Sequence, residues 1–108
     1  MKRFGAYRLA LEAVRLVSPL VDKIGRRDRG LSKQTSEALN SVPLNIAEGS
    51  RARGGNRNLR YDTAMCSARE VIGCLETAEA RGYLRAEELP VPIDKLDHVV
   101  ATLFKTCT

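Results

Sequence analysis

Apolar side chains return every third or fourth residue along four separate segments of this 108-residue chain, and nowhere do they alternate with period two between turn signals. That pattern admits helices and excludes sheets. In the first segment Ala6, Leu9, Ala13, Leu16, Leu20 and Ile24 form one stripe, and Leu11, Val14, Val17 and Val21 form a second beside it. The combined arc is wider than one bundle core needs, so part of it is expected to meet another subunit. The second segment, about 31–49, carries Leu31, Thr35, Ala38, Leu39, Val42 and Ile46. The third, about 56–81, carries Tyr61, Met65, Ala68, Ile72, Leu75 and Ala78, with Asn56 or Asn58 as N-cap. The fourth, about 92–106, carries Ile93, Leu96, Val99, Val100, Leu103 and Phe104.

Breakers fall between or inside these segments. Gly25 and Gly30 bracket a basic turn, Gly82 ends the third segment, and Pro92 opens the fourth. Pro19 removes a backbone donor and crowds the carbonyl of Arg15, which predicts a kink or break at Ser18. Four helices with short links make an all-α, up-and-down antiparallel four-helix bundle, a single domain over 1–108. With five aromatic residues and no Trp, its core is aliphatic.

No apolar run approaches the ~18 residues of a membrane span. Glu12 and Arg15 interrupt the N-terminal apolar region and no small-residue cleavage site follows, so this segment reads as a helix and not as a signal peptide. Cys66, Cys74 and Cys107 are odd in number and lack a C-x-x-C spacing, which fits reduced, mostly buried thiols in a cytoplasmic protein. The net charge of +5 is unevenly spread: residues 1–69 carry 14 basic and 6 acidic side chains, residues 70–108 carry 4 and 7. The first part is therefore the candidate for polyanions.

The sharpest local feature is SVPLNIAEGSRARGGNRNLR, residues 41–60. Pro43 interrupts a helical pattern and frees the carbonyl of Leu39. Asn45 has an amide to offer to a backbone carbonyl in the bend or to another chain, and Glu48, one turn on, can pair with a base. These residues either shape and end the helix or take part in a subunit or ligand contact. The chain is then expected to turn on Gly49 and to present Arg51, Arg53, Arg57 and Arg60 around Gly54 and Gly55. A helix begins there, and its free amides and positive dipole end suit phosphate, as do arginine forks. The spacing is neither a Walker loop nor a dinucleotide fingerprint, so no nucleotide cofactor is implied.

A second basic cluster, Lys23, Arg26, Arg27, Arg29 and Lys33, is diluted by Asp22 and Asp28. In an antiparallel bundle it lies at the opposite end from the first, either as a separate rim of an oligomer or idle. Tyr61 is the aromatic nearest the basic turn, which favours backbone contacts over base stacking. No catalytic set emerges. His98 stands alone on an acidic helix, the pairs Glu76/Glu79 and Asp94/Asp97 lack a His or Cys to complete a metal set, and Ser67 with Glu70 reads as a local hydrogen bond.

The string SVPLNIAEGS, the basic turn after it, Ala64, Ser67 and Glu70 on the next helix, and LETAEARGYL together resemble a bacterial four-helix bundle family. It includes proteins encoded within intervening sequences of 23S ribosomal RNA genes and accessory variability proteins of diversity-generating retroelements. The resemblance is strong over residues 31–84 and rests on pattern in the flanking helices, and Gln34 falls where the family often has glutamine. Arg60 and Tyr61 replace a Phe-Leu pair, and Cys66 replaces a Gly. The resemblance implies a homopentameric ring with basic surfaces. In its retroelement members it implies binding of nucleic acid and of a reverse transcriptase. It supplies no catalytic residues.

The expectation is thus a non-enzymatic, self-associating bundle without metal or cofactor, binding RNA or DNA through backbone phosphates. Arg51, Arg53, Arg57 and Arg60 are the first contacts and Arg26, Arg27, Arg29 and Lys33 the second. The competing reading is a scaffold subunit whose basic face meets an acidic protein.

Overall fold

The structure, a computed structural model, describes residues 2–107, with side chains from residue 5 to residue 106. Four helices make the bundle: α1 Lys2–Gly25, α2 Arg29–Arg51, α3 Gly54–Ala80 and α4 Pro90–Cys107. A single 3-10 turn, Ala86–Glu88, interrupts the link between α3 and α4. Each helix packs on the next, and α4 closes back on α1, as up-and-down topology requires. The molecule measures 42 × 23 × 18 Å. One end holds the α1–α2 turn and the α3–α4 link. The other holds the α2–α3 turn with the start of α1 and the end of α4.

The buried line of α1 is Ala6, Ala10, Ala13, Val17, Leu20 and Ile24. Leu9 and Val14 only flank it, and Leu16 is half-buried, so the core takes small side chains where the larger leucine stripe was expected. Alanine there lets the facing helices come close. From α2 come Ala38, Leu39, Val42 and Ile46, from α3 Tyr61, Ala64, Met65, Ala68, Val71, Leu75 and Ala78, and from α4 Leu96, Val99 and Leu103. Leu11 and Val21, on the second stripe of α1, are half-buried.

Pro19 does not break α1. Pro19 and Arg15 are both exposed, so the carbonyl that the ring leaves without an amide lies on the solvent side, and the Ser18 hydroxyl donates to Val14 O at 2.6 Å. α3 starts earlier than expected, at Gly54, so Asn56 and Asn58 lie inside its first turns and neither caps it. It ends as expected at Gly82, whose φ of +82° lets the Tyr83 amide reach Ala78 O at 2.8 Å. Arg29 and Gly30, placed in a turn by the sequence pattern, are the first residues of α2.

Buttoning the bundle together are three carboxylates. Asp28 caps α2 by accepting the Leu31 amide at 2.9 Å and also accepts from the Tyr83 hydroxyl at 3.2 Å, tying the α1–α2 turn to the α3–α4 link. Glu88 accepts the Arg85 amide and the Lys23 ammonium, and Glu12 accepts from Lys95 across α1 and α4. The Leu31 amide holds the Asp28 carboxyl below its ordinary value, the Arg85 amide and then Lys23 do so for Glu88, and the Lys95 hydrogen bond and charge do so for Glu12. A carboxyl depressed by folding adds stability above its unfolded pKa, and that stability is lost as pH falls through the folded one. The melting temperature is therefore expected to drop on acidification below about pH 4. In the Asp28→Asn variant the side-chain oxygen still accepts the Leu31 amide but the group does not titrate, so its melting temperature falls less steeply with acid. An unchanged acid slope refutes the role given to Asp28.

Candidate nucleic-acid interface

The SVPLNIAEGS string is a seam between α2 and α3. Ser41 Oγ lies 2.7 Å from Ser67 Oγ across the two helices. Asn45 Nδ2 donates to both Ser41 O and Ser41 Oγ at 2.9 Å, one turn back on α2. Asn45 Oδ1 accepts from Arg60 at 3.4 Å, and Glu48 lies 3.9 Å from the same guanidinium. Ser67 thus bonds across the seam and not to Glu70, which meets Gln34 at 3.4 Å. Pro43 is buried within α2, and the helix runs through it.

Gly49 is not a turn. It is buried inside α2, two residues before the helix ends, with the Tyr61 ring laid against its backbone; a Cβ there would lie 2.5 Å from Cε1 and 2.7 Å from Cδ1 of Tyr61. The glycine serves close approach of a large ring and not backbone reversal. Tyr61 is fully buried and its hydroxyl finds no partner among the described residues.

The reversal begins three residues later. The extended Ala52 and Arg53 join the helices, the Ala52 amide closes on Gly49 O at 3.2 Å, and Gly54 enters α3 with φ +57°. Arg53 is the N-cap residue of α3 and gives it no side-chain cap, and the first turn of α3 has no acidic residue. Arg53, Arg57 and Arg60, spaced four and three apart, share one stripe of this helix. Arg51, Arg53 and Arg60 are exposed and Arg57 is half-buried, its stem continuing the buried line one turn below Tyr61. Arg51, Arg53 and Arg57 form no ion pair or side-chain hydrogen bond among the described residues, whereas Arg60 is drawn into the seam. That 3.9 Å pair, half exposed on both sides, leaves most of the Arg60 charge to solvent.

Sequence reasoning missed what the topology adds to this end. Lys2 and Arg3 lie in the first turn of α1, Arg8 is exposed one turn on, and Lys105 is exposed near the end of α4. No local sequence signal joins residues nearly a chain length apart; only the antiparallel order does. Asp62 and Glu48 are the nearby acids.

The second cluster sits at the opposite end of the 42 Å axis, so the two make no single patch in one chain. It is partly occupied. The Arg27 and Arg81 guanidiniums lie 5.4 and 5.6 Å from the centre of the Tyr83 ring, and Arg81 Nε donates to the Tyr83 hydroxyl at 2.9 Å. Arg26, Arg29 and Lys33 are exposed without a partner among the described residues. Cys66 is exposed, against the expectation of burial, Cys74 is buried, and the Cys107 side chain lies outside the described residues. Among the described residues no helix is long and apolar enough to cross a membrane.

A bundle with this helix order is found among solved structures. The chain is similar to a crystal structure of a protein of unknown function from the S23 ribosomal protein family of Bacteroides thetaiotaomicron VPI-5482, with a TM-score of 0.84 over 99% of this chain and 98% of that one. Sequence identity is 23%, so the likeness speaks for the fold. No curated protein matches the chain. The family of 23S rRNA-intervening sequence proteins matches over residues 3–105, which takes in the α2–α3 seam, the basic turn and nearly the whole of α1 and α4. A match of that extent, on a bundle whose family-like string is spent on one helix seam, makes this chain a member of the 23S rRNA-intervening sequence protein family.

Proposed function

We propose that this chain is a non-enzymatic accessory protein that self-associates and binds RNA or DNA through backbone phosphates at the end where α2 meets α3. The observation that carries the reading is that, among the described residues, Arg51, Arg53 and Arg57 stand without an acidic partner around the start of α3, which has no side-chain cap. Guanidinium forks and free helix amides are both phosphate ligands, and unpaired charge is released to a polyanion without first breaking an ion pair. Arg26, Arg29 and Lys33 supply a weaker contact at the other end, and Arg27 is held on Tyr83.

Self-association is supported by Leu44 and Leu59, 64% and 62% exposed on the neighbouring helices α2 and α3. A ring of five and a reverse transcriptase partner are the assembly and the protein partner that the family resemblance points to, and native mass tests the first. The reading as a whole is tested by binding of the purified chain to unrelated RNA and DNA, with log affinity followed against log salt. Phosphate binding predicts a linear loss with a slope of about −0.9 per phosphate neutralised on duplex DNA and about −0.7 on single strands. No binding at low salt overturns it in favour of an acidic protein partner.

A further inference from the structure

We infer that the basic end takes single-stranded nucleic acid, with unstacked bases laid on Phe104 and Tyr7. This rests on the phosphate-binding reading and narrows it. Tyr61, the aromatic nearest the arginines in sequence, is fully buried against Gly49 and offers no face to a base. The fold supplies others. Phe104, in the last turns of α4, is 61% exposed, and Tyr7, in the second turn of α1, is 36% exposed. Up-and-down order brings both helix ends to the end that carries Arg51, Arg53 and Arg57.

One exposed apolar ring needs no explanation. The conjunction does: a large flat apolar face shares one end of the bundle with Arg51, Arg53 and Arg57, which have no ion-pair partner among the described residues. Tyr83, at the opposite end, gives the contrast, since its ring is already faced by Arg27 and Arg81. A partner for Phe104 and its surroundings must offer anions and flat apolar faces together. Single-stranded RNA or DNA does, one phosphate and one base per step. A duplex does not, because its base faces are stacked on one another, so it uses the arginines and leaves the ring bare.

The test uses the full chain and labelled strands of RNA and DNA, about 20 nucleotides long to exceed a typical site size, against their own blunt duplexes at one salt concentration. Single strands are expected to bind about tenfold more tightly than duplex. Phe104→Ala is expected to cost about tenfold on single strands and nothing on duplex, with Tyr7→Ala acting in the same direction. Phe104→Trp keeps a stacking face and introduces the chain's one tryptophan; its emission should be quenched on binding single strands, with affinity retained. Phe104 is exposed, so melting temperatures confirm that these variants fold. Equal binding to strands and duplexes, unchanged by Phe104→Ala but still falling with salt, overturns this inference and leaves the phosphate reading standing. No binding to either overturns both, as does binding confined to polyglutamate.

Discussion

Replacing Gly49 by alanine is expected to lower the melting temperature by about 10 °C or more. Two effects of opposite sign compete at this position. Alanine is a better helix residue than glycine by about 1 kcal/mol, which alone would stabilise α2. Against it, the new methyl would lie 2.5 and 2.7 Å from two ring carbons of Tyr61 and 3.2 Å from the Arg60 Cβ. Tyr61 is fully buried and has nowhere to swing, so α2 and α3 must part along the seam. Overpacking of this kind costs about 1–3 kcal/mol and more where two helices move together. The steric cost wins, by about 2 kcal/mol net. Gly73→Ala is the control: it sits on the exposed face of α3 with nothing within 4 Å of a built Cβ, so only propensity acts and the melting temperature should rise by about 4–8 °C. Relief of the Gly49→Ala loss by a second change, Tyr61→Leu, identifies the ring as the obstacle. A Gly49→Ala chain as stable as the parent means that the close approach is not real.

That contrast shows where sequence reading succeeded and where it stopped. Helix number, order and most core positions were legible, because a 3.6-residue period writes burial directly into the chain. The start of α3 was not: Asn56 and Asn58 are good caps by type, but the cap falls on Arg53, which a tight two-residue link and Gly54 at positive φ decide. Gly49 was misread for a related reason. Glycine serves both turns and close approaches, and only the position of the Tyr61 ring, twelve residues away, tells them apart. The arginines were legible as a cluster, yet which of them is engaged was not. Glu48 and Asn45 select Arg60 because the α2–α3 register brings it alongside them, and register is not a local property. Phe104 likewise read as a core residue, since it continues an apolar period; Leu103 takes that place and turns it outward.

Changing Arg51, Arg53 and Arg57 together to glutamine is expected to reduce affinity for RNA and DNA about 100- to 1000-fold at low salt, evenly across sequences, with the salt slope shallower by about 2–3. Each is a charged donor with no partner to release among the described residues, and phosphate contacts of this kind are worth about 1–1.5 kcal/mol apiece. Arg60→Gln alone is expected to do less to binding, because part of its donor capacity is spent on Asn45 and Glu48, and to loosen the seam slightly instead. The opposite-end triple, Arg26, Arg29 and Lys33 to glutamine, tests whether the two ends act as one. A strand lying along the 42 Å axis over α2 and α3 would cross the exposed Glu37 and Glu70 between the ends, and like charge opposes that path. The two ends therefore engage separate strands or separate stretches, and the costs of the two triples should add without coupling. The unpaired charge at the α2–α3 end and the knot around Tyr83 at the other predict which triple costs more. If the Arg26, Arg29 and Lys33 changes abolish binding while the first triple leaves it intact, the partnerless arginines around α3 are surface charge and the docking end is the one Tyr83 organises.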